Sequence, residues 1–138
     1  MVSIKSALVS AFATLPLLSS AYITSMSAPN TAKAGTTITT TLTAAIYVQN
    51  WDDFGIIWGL VPPTWNCGDI ICVGRRIAYT PLFPDHEPEP GNFTIDLDIP
   101  GDFSAGTYNL VAAIPYLVGA SGMTSIQNLT FPIEITAA

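Results

Sequence analysis

Positive charge is scarce in this chain: four Lys and Arg stand against ten Asp and Glu, with a single His, for a formal net charge of -6. Phosphate backbones are neutralised mainly by Lys and Arg, so this balance excludes nucleic acid as a partner. Charge of either sign is sparse as well, at 10% of residues against 49% hydrophobic ones, the reverse of the composition that keeps a chain disordered. Capped stretches with an apolar period of 3.6 are missing, which excludes a helical bundle. Cysteine is limited to two residues, too few for a disulfide framework to stand in for a core. What remains is a chain of 138 residues, enough for one domain that buries about two-thirds of its unfolded surface.

One long apolar run exists, at the beginning. Lys5 precedes the run Ala7 to Leu18, and Ser19-Ser20-Ala21 places small residues at the -3 and -1 positions of a cleavage after Ala21. Ser10, Thr14 and Pro16 interrupt the run, and a membrane span needs about 20 apolar residues. Residues 1–21 are therefore expected to be a secretory signal peptide and residues 22–138 a single secreted domain without a membrane span. The ending Ile135-Thr136-Ala137-Ala138 lacks the hydrophobic tail of a lipid-anchor signal.

Export changes how the cysteines read. Cys67 and Cys72 flank Gly68-Asp69-Ile70-Ile71, and an even count in an exported chain favours a disulfide between them. So short a ring adds only about 2 kcal/mol on the loop-closure model, so it is a clip and not a scaffold. A redox or metal pair is disfavoured, because the spacing is not Cys-x-x-Cys and no His cluster completes a shell. Asn92-Phe93-Thr94 and Asn128-Leu129-Thr130 match the N-glycan acceptor pattern, making Asn92 and Asn128 expected glycosylation sites.

The dominant period is two. Ile38, Leu42, Ala44, Ile46 and Val48 share one face of a stretch whose other face carries Thr37, Thr39, Thr41 and Thr43. Phe54–Leu60, Phe93–Ile99, Tyr108–Ile114 and Leu129–Ile135 alternate in the same way, and Tyr22–Ala28 and Val73–Thr80 do so more weakly. Asn92 and Asn128 each precede an inward residue and so fall on outward phases. About seven short strands separated by Pro, Gly and Asp predict an all-β, immunoglobulin-like antiparallel sandwich, with a small closed barrel as the alternative. Trp58 in the third strand fits that architecture. So does Ala105-Gly106-Thr107-Tyr108-Asn109-Leu110, which resembles a tyrosine corner.

Catalytic chemistry has few candidates. His86 lies in Pro84-Asp85-His86-Glu87-Pro88-Glu89-Pro90, where three prolines favour an extended, solvated acidic loop over a rigid acid/base or metal site. Asp52 and Asp53 are adjacent, and neighbouring side chains of a strand point to opposite faces. No Gly-x-Ser-x-Gly elbow and no phosphate loop occurs. The chain reads as a non-enzyme that needs no cofactor and no metal.

Recognition chemistry is better represented. Trp51, Trp58 and Trp65 lie within fifteen positions. Trp58 is in phase with the core, whereas Trp51 and Trp65 fall at strand ends or in loops and are candidate contact residues. Gly55 and Gly59 leave one strand face open either to a partner or to a neighbouring loop. Tyr116-Leu117-Val118-Gly119-Ala120-Ser121-Gly122 reads as an apolar, flexible connection between the last two strands, which makes Tyr116 a third candidate contact.

Several of these segments carry a resemblance. Residues 45–60, AIYVQNWDDFGIIWGL, with Ile77-Ala78-Tyr79-Thr80-Pro81-Leu82, Pro84-Asp85-His86, Gly91-Asn92-Phe93-Thr94 and Pro115-Tyr116-Leu117-Val118-Gly119-Ala120-Ser121-Gly122, resemble the necrosis-inducing secreted protein family of fungal effectors. The similarity covers most of the exported part. It implies a small secreted protein that triggers plant cell death and suppresses pattern-triggered immunity by associating with host immune kinases, namely a co-receptor kinase and a receptor-like cytoplasmic kinase. It also implies secretion to the extracellular space, with action in the host apoplast and in the host cytoplasm, and brings no catalytic residues. A monomer is expected. A function of another class, a secreted carbohydrate-binding module of the fungal or plant cell wall with Trp51 or Trp65 as stacking platform, stands beside it.

Overall fold

The computed structural model describes residues 20–138. The expected signal peptide lies outside the described residues, apart from Ser20 and Ala21, which open the first strand. Nine strands follow in chain order: β1 (Ser20–Ser27), β2 (Thr31–Lys33), β3 (Thr37–Tyr47), β4 (Trp51–Asp53), β5 (Gly55–Val61), β6 (Arg75–Pro81), β7 (Gly91–Asp98), β8 (Gly106–Val118) and β9 (Met123–Thr136). All seven stretches of alternating residues are strands. The two extra ones, β2 and β4, are three residues each, too short to display a period.

One sheet has the order β1-β3-β7 and the other β2-β9-β8-β5-β6, with β4 paired to β8 beside β5. Neighbours are antiparallel except β2 and β9, which run parallel from Thr31 opposite Glu134 to Lys33 opposite Thr136. This is an immunoglobulin-like sandwich in which β3, β5, β6, β7, β8 and β9 occupy the places of strands B, C, C′, E, F and G. The tyrosine corner is present at the start of β8, where the Tyr108 hydroxyl donates to the Ser104 carbonyl at 2.9 Å.

The core forms between the inward phases of the two sheets. Ile38, Leu42 and Leu97 from one face Trp58, Leu60, Leu110 and Ile114 from the other, all buried. Each such aliphatic side chain contributes about 1.5–3 kcal/mol by leaving water. Trp58 is fully enclosed and its indole N–H donates to Thr80 Oγ1 at 2.9 Å, which removes the cost of burying that polar group. On the outer face of the smaller sheet Thr39 and Thr43 donate to Asp96 and Asn92 across the strands, so charge collects where the alternation places it.

The structure departs from the periodic reading at the ends of strands. Ile46 and Val48, in phase with the core, are 63% and 85% exposed. At this end β3 has passed the last core layer. The residues from Tyr116 are not a flexible connection: β8 continues through Val118, and the turn is confined to residues 119–122, between Gly119 and Gly122 with φ of 80° and 70°. The open faces of Gly55 and Gly59 are filled by the protein itself. A Cβ on Gly55 would meet the Tyr79 ring, and one on Gly59 the carbonyl of Val73.

Candidate functional site: an aromatic rim above a buried carboxylate

At the end of the sandwich where β8 turns into β9, three loops converge. Asn50 exchanges backbone and side-chain hydrogen bonds with Gly119, tying the loop before β4 to the β8–β9 turn. Leu82 and Phe83 donate to the Phe54 carbonyl, and the Phe54 and Phe83 rings meet edge to face at 5.2 Å, tying in the β6–β7 loop. In an immunoglobulin-like sandwich this is the end at which variable domains carry their recognition loops.

Four aromatic rings cap it. Trp51 of β4 stacks on Tyr116 of β8, with centroids 4.4 Å apart and planes at 12°. Tyr22 of β1 and Tyr47 of β3 pack on the same indole at 4.6 and 5.0 Å and on each other at 5.5 Å. All four are half-buried. Pairs of this kind are worth about 0.5–1.5 kcal/mol beyond their area, so the rings are held in place before any partner arrives. The pairing of Trp51 with Val118 and Asp53 with Tyr116 sets this geometry.

Beneath the rim lies Asp53, 1% exposed. Its Oδ1 accepts the Trp51 indole N–H at 2.8 Å and its Oδ2 the backbone N–H of Ile23 at 3.0 Å, so one carboxyl ties β1 to β4 across the two sheets. Loss of water pushes its pKa up, against the lowering effect of those two hydrogen bonds. Asp52 points the other way, as alternation requires, and hydrogen-bonds Glu87 of the β6–β7 loop. The Glu87 carboxyl is pushed up to about 7, first by partial loss of water, then by that bond and by repulsion from Asp52 and Asp53. The loop around His86 is solvated as expected, with Phe83 to Glu87 all exposed. Among the described residues no group of three or more His, Cys, Asp or Glu is arranged to hold a metal.

The sequence candidates therefore separate. Trp51 and Tyr116 come together, with Tyr22 and Tyr47 added. Nothing in the alternation marks those two tyrosines as neighbours, since they lie on different strands. The sequence reading missed Asp53; the one signal that points to it is the Trp51-x-Asp53 spacing, which puts an N–H donor and a carboxyl on one strand face. Trp65 is elsewhere. It is 58% exposed in the β5–β6 loop, beside the disulfide between Cys67 and Cys72 and with Ile70 and Ile71 also exposed. That loop leaves β5 at Val61, opposite Asn109, whereas the rim sits at Val118. Nine strand residues at about 3.4 Å each separate the two regions by about 30 Å. Asn92 and Asn128 are exposed on outer sheet faces. No helix of the described residues is long and apolar enough to cross a membrane.

Comparison with known proteins adds a lineage to this geometry. The chain is similar to Necrosis-inducing secreted protein 1 of Colletotrichum orbiculare, with 27% identity over 125 residues that cover 91% of this chain and 76% of that protein. Among solved structures, a superoxide reductase (neelaredoxin) from Ignicoccus hospitalis aligns over 85% of this chain and 80% of its own at 10% identity, with a TM-score of 0.42, too distant to carry an argument. The model of the Nis1 family matches residues 19–134, nearly all of the sandwich together with the aromatic rim, and the chain belongs to that family.

Proposed function

We propose that this protein is a secreted effector that provokes host cell death and works by binding another protein through the aromatic rim, not by catalysis. The observation that carries the reading is the stacked Trp51–Tyr116 pair, half-exposed and braced by Tyr22 and Tyr47 at the recognition end of the sandwich. Preordered aromatic rings lose little entropy on binding and are the residue types that dominate interface energetics. The family relative is named for necrosis and secretion, which supports the cell-death and export parts.

The partners proposed are plant immune kinases, a co-receptor kinase and a receptor-like cytoplasmic kinase, whose engagement suppresses pattern-triggered immunity. The protein acts as a monomer in the apoplast and in the host cytoplasm. In the latter, disulfides do not persist. The sandwich tolerates this because the core lies between the sheets while Cys67 and Cys72 close a surface loop. Residues 1–21 act as the signal peptide, and Asn92 and Asn128 as glycan acceptors on faces away from the rim. The deciding experiment is a pull-down of residues 22–138 against the two kinase domains, with the double substitution Trp51→Ala and Tyr116→Ala as control. Capture that persists in the double variant places the interface elsewhere.

A second reading has one observation in its favour. Trp65 is exposed on a clipped loop, the setting of a sugar-stacking platform. Quenching of tryptophan emission by chitin or glucan oligomers, lost in Trp65→Ala, would establish it.

A further inference from the structure

Two sheets have four edges, and here three of them are guarded. β1 is bulged between Ile23 and Ser25 and commits its Ile23 N–H to Asp53. β6 opens with Arg75 and Arg76, ends on Pro81 and meets β5 through a bulge at Trp58 and Gly59. β7 carries Asp96 and Asp98, tied to threonines of β3. Charge, proline and bulges are the usual means by which natural sheets keep an edge from pairing with a foreign strand. The fourth edge, β9 beyond the reach of β2, has none of them. From Met123 to Phe131 it bears no charge and no proline, and it pairs with β8 from Val118–Met123 to Gly106–Ile135 without a bulge.

Phase shows which peptide groups this edge leaves open. Glu134 donates its N–H to the Asn30 carbonyl and the Thr136 carbonyl accepts from Ala34, so even-numbered residues of β9 turn their peptide groups away from β8. Pro115, opposite Ile126, agrees: its carbonyl accepts from the Phe54 N–H, on the far side of β8. β2 covers only Glu134–Thr136. The N–H and carbonyl groups of Thr124, Ile126, Asn128 and Thr130 therefore meet no strand among the described residues. They form a row with a repeat of about 6.8 Å.

Burial changes along the same strand. On the inward phase Ile133 and Ile135, beside β2, are buried, whereas Gln127, Leu129 and Phe131 are only half-buried. A strand laid on the open edge would cover them as β2 covers their neighbours. Gln127 Oε1 is buried without a donor among the described residues, so this wall also holds one unmet acceptor. Ser125 stands opposite Tyr116, which starts the open edge one strand spacing, about 4.8 Å, from the stacked pair of the rim.

We propose that β9 is the docking edge for an extended segment of the protein partner, which joins the larger sheet as a further strand through the peptide groups of residues 124–130. A strand offers N–H and carbonyl groups in alternation at the required repeat, so backbone complementarity supplies the affinity. Selectivity comes from side chains. With no charge on β9 to read, the segment that fits has apolar residues at alternate positions, which pack on Leu129 and Phe131. The Asn128 side chain stands upright on the outer face and leaves the plane of the sheet free for the added strand. The rim holds one part of the partner and the edge carries the contact away from it. This rests on the reading of the chain as a protein-binding effector, and not on which kinase is bound.

The test is Ile126→Pro, which deletes one N–H of the open edge and no hydrogen bond to β8, the phase on which the native Pro132 already lies. Random peptides of about ten residues displayed on phage are selected on the secreted protein. The recovered peptides are expected to alternate apolar residues, to bind Ile126→Pro at least about 10-fold more weakly than the parent, and to bind Ile126→Val as they bind the parent. No enrichment, or equal binding to the proline variant, overturns the edge. Should Ile126→Pro not fold, amide hydrogen exchange in the unaltered protein decides. Slower exchange at Thr124, Ile126, Asn128 and Thr130 on adding a selected peptide supports the added strand, and unchanged exchange overturns it. Sedimentation of the protein alone reads the rival occupant: a dimer that Ile126→Pro abolishes gives the edge to a second copy and overturns the partner segment. The kinase pull-down separates this proposal from the function. Kinase capture undiminished in Ile126→Pro overturns the edge and leaves the function standing, whereas peptide binding at the edge without any kinase capture supports the edge and overturns the kinase reading.

Discussion

The aromatic rim and the disulfide loop both present a tryptophan to solvent, at opposite ends of one sandwich, yet they are held by different means. Trp51 is fixed by rings on three sides and by an indole hydrogen bond to Asp53. Trp65 has only a backbone turn, its N–H donating to the Pro62 carbonyl, and a covalent clip two residues further on. A clip restricts where the chain goes without fixing where a side chain points. Packing does both, which is why the rim is the better docking surface although its rings are less exposed.

The contrast is broken most severely at the rim. Replacing Trp51 and Tyr116 together by Ala is expected to weaken kinase capture by about 100-fold or more and to abolish cell death in leaf infiltration, as loss of paired interface anchors does. Trp65→Ala in the same assays is expected to match the unaltered protein. Next in size is Gly59→Ala. Because the obstacle to a Cβ is the Val73 backbone, the whole β5–β6 loop has to shift. A loss of about 2–4 kcal/mol in urea unfolding is expected, with the near-ultraviolet signal of the stacked pair unchanged. Reduction of Cys67–Cys72 is milder, about 2 kcal/mol, and leaves the chain folded at physiological temperature; cooperative loss of the fold in reductant would show that the clip, not the core, holds the domain.

A smaller effect distinguishes the rim by its acidity. The Glu87 carboxyl, raised to about 7, binds a proton more readily folded than unfolded. The folded state therefore gains stability as pH falls from about 7 towards the unfolded value near 4.3, and loses it again as pH rises. Because Glu87 is largely exposed, a slope of only a few degrees in Tm is expected, and Glu87→Gln should flatten it. The smallest change is the stability of Trp65→Ala, expected within about 0.5 kcal/mol of the parent.

How far each region was legible follows from the range of the interactions involved. The seven long strands, the burial of Trp58 and the tyrosine corner are set by alternation and local turns, which a sequence displays directly. The disulfide was visible for the same reason, since its partners are five positions apart. The rim was half visible. Trp51 and Tyr116 stand out by residue type, but their stacking depends on β4 pairing with the far end of β8, and a three-residue strand has no period. Asp53 was hidden because a carboxylate is ordinarily an outward residue. Only the fold reveals that Ile23 and Trp51 replace its water.

The parallel pairing of β2 with β9 has a mechanical consequence. Residue 20 lies at the rim end of the sandwich, and Thr136 at the other. A force drawing these two points apart slides β2 along β9, loading the rungs from Thr31–Glu134 to Lys33–Thr136 together instead of opening them one after another. Forced unfolding is governed by the barrier along the pulled coordinate. A domain fastened in this way resists a pull between these two points more than a pull that peels the rungs apart singly.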